Sequence, residues 1–389
     1  MGNSAPIETD PQFRAKSFDC ASDAPTLCPT ARWFPSSEDL KKILKIEGTK
    51  PLGKGTSCVV YRGLLHDQLR REWCRRVAIK VIDKDAMHVS RSVLHEVEIM
   101  RELVNGNHFV QLYDFLETPN KYFLALQYME GPNLQRAALN SQGSLEEEQV
   151  AFLMRQMLES VSFLHARDIC HRDIKPHNFF LNIHDVCSKS VLLKLGDFGM
   201  AIRISPGSLA TSPQGTLAFK APEILLLPKK SRGYDHKVDV WALGICMVFL
   251  LASEYPHIDG AGRLLMARVL SGEVMVWQDS ALQRFFEVTG MARKQPSKQA
   301  QDLVMRLLTP EPKERVAACT ALHHPWVRSQ DCRNVHWKDD LWDQKPRQDW
   351  TDFDKAMSEL TEDVKHLAKK IGNPENCRGP FCVPLCHVK

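Results

Sequence analysis

The order of patterns along the chain predicts an α+β fold of two lobes, a smaller one rich in strands followed by a larger helical one. Three observations carry that expectation. Between Lys45 and Gln127 short runs of β-branched and aromatic residues recur, interrupted by a single helical stretch. Beyond Ser144 the apolar spacing changes to three and four, the period of a helix. A polar stretch, Ile169-Cys-His-Arg-Asp-Ile-Lys-Pro-His-Asn178, is followed nineteen residues later by Asp197-Phe-Gly199. Strands first and helices afterwards is the order of an α+β architecture. The 389 residues suffice for two domains, or for one large two-lobed domain with tails.

Composition narrows the function classes. With 43% hydrophobic and 25% charged residues the chain can bury a sizeable core. A net charge of +4 is too mild for a nucleic-acid or membrane-surface protein. Twelve scattered cysteines without a secretory signal read as the reduced thiols of a cytoplasmic protein. The most apolar run, Val240 to Ala252, falls short of the roughly twenty residues a bilayer requires and reads as a buried helix, so no transmembrane segment is expected.

Residues 1–36 carry proline at 6, 11, 25, 29 and 35 among small polar residues and read as a disordered arm. Met1-Gly2-Asn3 invites N-myristoylation at Gly2, although Pro6 stands where that pattern wants Ser or Thr. A single acyl chain anchors only marginally without a second signal, such as a palmitoylated Cys20. Ser36 or Ser37 caps a short helix through Leu44. Strands are then expected over Lys45–Leu52 and Cys58–Leu64, joined at Gly53-Lys-Gly-Thr-Ser-Cys58, whose two glycines let the backbone point N–H groups at phosphate oxygens. His66–Arg76 reads as a basic, solvated connector. In the apolar strand Val77-Ala-Ile-Lys80-Val-Ile82 a lysine is costly unless paired. The helix Ser90–Val104 offers Glu96 as partner, or Glu98 about 160° around the axis. Phe109–Glu117 and Tyr122–Gln127 complete the strands.

In the second lobe, Ser144-Leu-Glu-Glu147 is a capping box for a helix through His165, with Val150, Leu153, Met157, Val161 and Leu164 on one face. A polar excursion, Asn182–Val191, precedes the strand Leu192–Leu195 that runs into Asp197. A phosphate donor complexed to magnesium needs carboxylate and amide oxygens on the metal and a base beside the attacking hydroxyl. Asp173 can take the hydroxyl proton, Lys175 can neutralise charge on the transferring phosphate, and Asn178 with Asp197 can hold the metal.

With Asp-x4-Asn followed by Asp-Phe-Gly, the chain resembles the eukaryotic protein kinases over roughly residues 45–327. The resemblance implies the bilobal kinase fold, with an N-lobe over 45–130, a C-lobe over 131–327, and ATP and Mg2+ as cofactors. The family's G-x-G-x-x-G-x-V loop is matched by Gly53, Gly55 and Val60, with Ser57 at its tip and Cys58 in place of the third glycine. That departure either weakens nucleotide cover or is a tolerated small residue. Leu52, Gly53, Lys54, Gly55, Val60 and Ala78 are then expected around the nucleotide, Lys80 on its α- and β-phosphates and Glu96 on Lys80. Leu126 matches the gatekeeper, Gln127 to Met129 the hinge that bonds adenine, and Asn133 lies near the ribose.

Residues 197–223 match the activation segment, ending in Ala221-Pro-Glu223; its middle, Ser205 to Gln214, is expected to be mobile when unmodified. Arg172 is the buried cation that a phosphate there satisfies, with Thr211 and the proline-directed Ser212 as candidate sites. Thr216 matches the threonine packed beside the catalytic aspartate and lysine, which with Lys175 implies Ser or Thr acceptors. Arginine-preferring members place glutamates where His177 and Asn133 stand, so no strong basophilic preference is expected. Asp239 is expected to receive catalytic-loop N–H groups, and Arg315 to pair with Glu223. With Ala321-Leu-His-His-Pro-Trp-Val327 closing the domain, the pattern looks most like the calcium/calmodulin-dependent kinase group.

Residues 328–389 form a C-terminal extension without an EF-hand loop. Phe353, Met357, Leu360, Val364, Leu367 and Ile371 make a heptad seam in a helix over 352–371, ended by Gly372 and Pro374. It either packs on the large lobe, as an inhibitory helix or simply as structure, or self-associates with another chain. Its charges nearly balance, which makes it a poor calmodulin target. Cys377, Cys382, Cys386 and His387 are read as a loose thiol-bearing tail, with zinc as the alternative. The function read from the whole is an ATP-dependent protein serine/threonine kinase acting on protein substrates, with an upstream kinase as a further partner. The alternatives are a pseudokinase, which Cys58 alone supports, or a scaffold assembled through the heptad helix.

Overall fold

Period-two alternation in the first lobe builds one sheet covered on both faces. The computed structural model describes residues 31–55, 58–67, 72–84, 87–105, 107–141, 145–227, 231–259, 262–272 and 295–328. The lobe comprises β1 (Arg32–Trp33), α1 (Ser37–Lys41), β2 (Leu44–Ile46), β3 (Gly53–Lys54), β4 (Cys58–Asp67), β5 (Glu72–Asp83), α2 (Met87–Glu102), β6 (Leu112–Glu117) and β7 (Lys121–Gln127). Strand order is β1-β6-β7-β5-β4-β2, with β3 also on β4; β1 runs parallel to β6 and the other pairs are antiparallel. Val77, Ile79, Leu116, Phe123 and Ala125 pack on one face with α1 and Phe34. Ile82, Phe115, Tyr122 and Leu124 pack on the other with Val93 and Val97 of α2. Adjacent residues such as Phe115 and Leu116 thus serve opposite cores, as the pleat requires.

Several expectations are corrected. Residues 31–36 are not part of an arm: Arg32 and Trp33 extend the sheet, Arg32 pairs with Asp114, and Phe34 is 1% exposed. Ser36 caps α1 through Asp39 N–H at 3.2 Å, but the helix stops at Lys41 and Leu44 already belongs to β2. The strand expected over Lys45–Leu52 is interrupted, because Gly48 turns with φ +75° before the chain rejoins β4 at Gly53. His66–Arg76 is no simple connector, since β4 and β5 pair out to Asp67 and Glu72. Strand β6 starts at Leu112, later than Phe109, which instead bridges Leu195.

The second lobe contains α3 (Leu134–Asn140), α4 (Glu147–His165), β8 (Ile169–Cys170), β9 (Phe179–Leu181), β10 (Leu193–Leu195), β11 (Ile202–Arg203), α5 (Pro222–Leu225) and α6 (Lys237–Ala252), then α7 (Met266–Ser271) and closing helices at Lys298–Leu307, Ala318–Ala321 and Pro325–Arg328. All five apolar positions predicted for α4 are buried. The residue before the helix is Glu146, whose N–H donates to Gln149 Oε1 at 3.1 Å; Ser144, the expected cap, lies outside the described residues. Gln156 of α4 clamps the strand leading to Asp197: its amide donates to Val191 O at 3.2 Å, and its oxygen accepts Leu193 N–H at 2.9 Å. Helix α6 is buried almost throughout, and a Cβ on Gly244 would lie 2.6 Å from Leu308, so glycine admits that close packing. Among the described residues no helix is long and apolar enough to cross a membrane. The N-terminal arm with Gly2 and Cys20, the heptad seam and the cysteine tail lie outside the described residues.

Glu223 of α5 and Arg315 form a two-pronged pair at 2.7 and 3.0 Å, and the guanidinium also donates to the carbonyls of Thr309, Pro310 and Lys237. Removing one member of a buried pair strands the other's charge at about 3–5 kcal/mol. Arg315→Met should therefore lower stability by that order in urea titration, and adding Glu223→Gln should recover part of the loss. A single variant with wild-type stability contradicts the pair's anchoring role.

Candidate active site

Register places the lysine. Lys80 faces Val60 across β4 and Leu124 across β7, so its stem is held between two hydrophobic strands while its ammonium reaches the cleft. There Lys80 Nζ donates to Glu96 Oε1 at 2.7 Å and to Asp197 Oδ1 at 3.1 Å. Glu96 is buried, whereas Glu98 pairs with His95 on the outer side of α2, which decides between the two carboxylates. Burial works to strip the proton from Lys80, but Glu96 and Asp197 outweigh it and hold the ammonium well above the ordinary lysine value. Lys80 in turn holds the Asp197 carboxyl below the usual carboxylate range.

The catalytic loop hangs from α6. Asp239 accepts the N–H groups of His171 and Arg172 at 2.8 and 2.9 Å, and His165 Nε2 lies 3.1 Å from the same carboxylate. The bond to its N–H offsets strain at Arg172, whose φ of 65° is uncommon for a residue with a side chain; Asp197 adopts a similar φ of 62°. Asp173 Oδ1 accepts Thr216 N–H at 3.1 Å and its hydroxyl at 2.7 Å, while Oδ2 lies 2.8 Å from Lys175 Nζ. Lys175 also donates to Thr216 Oγ1 at 2.9 Å. Asn178 donates its amide to Asp173 O at 2.8 Å and Oδ2 at 3.2 Å, which leaves its own oxygen for a cation. Gly215 precedes Thr216 with φ +100°, and a Cβ there would sit 2.5 Å from Arg172 O, so glycine is required for this approach. Burial pushes the Asp173 carboxyl up, but the bonds from Lys175 and Thr216 more than offset that, and it titrates below its ordinary value near 3.8.

The glycine loop folds as a hairpin end: Gly53 and Lys54 pair with Val60 and Val59, Leu52 N–H donates to Val60 O at 2.7 Å and Gly55 N–H to Cys58 O at 2.9 Å. A Cβ on Gly53 would meet nothing within 4 Å, whereas one on Gly55 would meet Cys58 Sγ at 3.0 Å. Cys58 is half-buried, and burial pushes its thiol up against the pull of Lys80, so it is protonated at neutral pH and a poor oxidation switch. Ala78 pairs with Leu126, and Gln127 and Met129 are buried where strand β7 leaves the small lobe. Asn133 uses its side chain to cap α3, accepting Arg136 N–H at 2.9 Å.

Arg172 is half-exposed, not buried as expected, because its guanidinium turns outward to Met200 O at 2.5 Å, Ser212 Oγ at 2.8 Å and Tyr234 OH at 3.2 Å. Ser212 meets it, and both Thr211 and Ser212 are exposed. Tyr234 opens the run Tyr234-Asp-His-Lys-Val-Asp239 that leads into α6, but nothing in the sequence gives its hydroxyl a role; it donates to Ser212 O at 2.6 Å. No motif marks His165 or Gln156, which look like ordinary helix residues until the fold brings them in.

Residues 46–327 match the protein kinase domain family. The chain is a protein kinase. It is 30% identical over 311 residues to the human phosphorylase b kinase gamma catalytic chain, liver/testis isoform, covering 76% of this chain and 68% of that one. It is 31% identical over 251 residues to calcium/calmodulin-dependent protein kinase type 1 of Caenorhabditis briggsae, covering 64% of each. Against calcium/calmodulin-dependent protein kinase cmkA of Emericella nidulans it is 30% identical over 300 residues, 76% of this chain and 65% of the relative. The kinase is thus a serine/threonine enzyme of the calcium/calmodulin-dependent group, built on the bilobal fold.

Because two donors depress Asp173, the carboxylate of this kinase stays charged as pH falls to below 3.8 and is protonated only beneath that. In the double variant Lys175→Met, Thr216→Val burial should dominate and move the acid limb of kcat/KM upward. A pH–rate profile with an unmoved limb contradicts this role for the two donors.

Proposed function

We propose that the kinase transfers the γ-phosphate of ATP in line to serine or threonine hydroxyls of proteins, with Asp173 as base. The observation that carries the reading is convergence: Lys80 is bonded to both Glu96 and Asp197, Asn178 is bonded to Asp173, and Asn178 O accepts the N–H of Gly196, next to Asp197, at 2.9 Å, which brings the groups for donor and acceptor together. The donor set suits Mg2+, a hard cation that takes oxygen ligands: Asp197 offers a half-exposed carboxylate and Asn178 an amide oxygen. When bound there, the ion neutralises charge on the nucleotide's phosphates. Lys80 grips phosphate oxygens, the Gly53–Gly55 backbone covers them, and Gln127–Met129 presents the backbone to adenine, framed by Leu52, Val60 and Ala78. Asp173 orients the acceptor hydroxyl and takes its proton, while Lys175, fixed by Thr216, faces the charge that develops on the phosphoryl group.

A phosphate on Ser212, added by an upstream kinase or by this one, falls within reach of Arg172 and would order the segment. Cys58 at the third glycine position is tolerated because its side chain turns toward Gly55 and stays protonated. Asp173→Asn keeps the shape but removes the base, so transfer of radiolabel from ATP to a serine peptide should fall by about 10²- to 10⁴-fold. Nucleotide affinity should change little. Undiminished transfer by Asp173→Asn rules out this assignment of the base.

A further inference from the structure

Among the described residues, two cations beside Asp173 have no carboxylate of their own. Lys220, just before Ala221-Pro-Glu223, lines the same cavity as Arg172, Asp173 and Gln214. Its ammonium donates to Pro213 O at 2.9 Å, and it makes no ion pair among the described residues. Arg172 likewise spends its guanidinium on the neutral acceptors Met200, Ser212 and Tyr234. The acids around them are committed elsewhere: Asp197 to Lys80, Glu223 to Arg315, Asp239 to the catalytic-loop backbone and Asp173 to Lys175. On the other side of the site, His177 and Asn133 bring no negative charge.

A half-buried lysine whose partner among the described residues is a carbonyl is an incomplete site for an anion. We infer that Lys220 selects substrates carrying an anionic residue, a carboxylate or a phosphate, within two positions of the acceptor hydroxyl. The inference rests on Asp173 receiving that hydroxyl. Lys220 lies close enough to Asp173 to feel its charge, and each residue of an extended peptide advances about 3.3–3.6 Å, so a side chain one or two positions from the acceptor comes within reach of the ammonium. Burial already lowers the proton affinity of Lys220, opposed by Asp173, which marks an ammonium that gains from a further anion.

The test is a positional peptide library around one serine, with Asp, Glu, phosphoserine, Ala and Lys at each of the two flanking positions on both sides. It is phosphorylated by wild type, Lys220→Arg and Lys220→Glu, and scored as the ratio of anionic to alanine peptides. Wild type and Lys220→Arg should favour an anionic residue at one position by roughly tenfold, and Lys220→Glu should favour lysine there. The Asp and phosphoserine arms tell which anion is preferred. A ratio near one in wild type, or a preference unchanged in Lys220→Glu, overturns the inference. Binding of the same peptides to each protein, followed by fluorescence anisotropy, reads the contact apart from turnover. Anion-selective binding lost in Lys220→Glu sustains the inference even where no phosphate is transferred, a result that would defeat the kinase mechanism alone.

Discussion

One ammonium ties the two halves of this molecule together. Lys80 comes from the middle of the sheet, Glu96 from the helix packed on it, and Asp197 from the far lobe, and the three meet within 3.1 Å. Lysine buried this deeply is tolerated only when paired. The charges of the trio, +1, −1 and −1, leave a deficit of one positive charge at the cleft. On the proposed function a cation carrying phosphate fills that deficit, which exists only while α2 lies against the sheet. If Glu96 swung away, Lys80 would be left with Asp197 alone and the charge pattern would be lost.

The second half depends on a different carboxylate. Asp239, 1% exposed on a helix buried almost throughout, holds the backbone of His171 and Arg172 in a conformation that costs of order 1–3 kcal/mol per strained residue. Burial opposes its charge, yet His165 and the loop's N–H groups keep it ionised. The energy stored in the loop is thus offset by the core, and the loop side chains stand in place before any substrate arrives. Gln156 does the same for the strand that carries Asp197.

Much of this is legible in the sequence because the chemistry requires certain residues at certain spacings. Asp173, Asn178 and Asp197 are separated by fixed lengths of loop and strand, and a lysine amid Val77-Ala-Ile and Val-Ile82 demands a carboxylate. The rest depends on tertiary pairing. Ala31-Arg-Trp-Phe34 follows a proline-rich stretch and is too short to register as a strand; only the open edge of β6 and the pocket for Phe34 make it one. The strands flanking residues 68–71 carry arginines that read as solvated loop, because on an exposed hairpin pairing, not hydrophobicity, extends the ladder. Lys220 carries no such signal: a single lysine two residues before a proline has no period or motif, and its significance lies in the carboxylates that its neighbours have already taken.

The trio can be tested without assuming turnover. Nucleotide affinity in the presence of Mg2+, measured by calorimetry for Lys80→Met, Glu96→Gln and the double variant, forms a double-mutant cycle on the central contact. If Glu96 acts by positioning Lys80, the double variant should bind no more weakly than Lys80→Met alone, with a coupling of about 1–3 kcal/mol. Losses that simply add would mean the two side chains serve the nucleotide independently, and Lys80 would not be the tie between sheet, helix and far lobe.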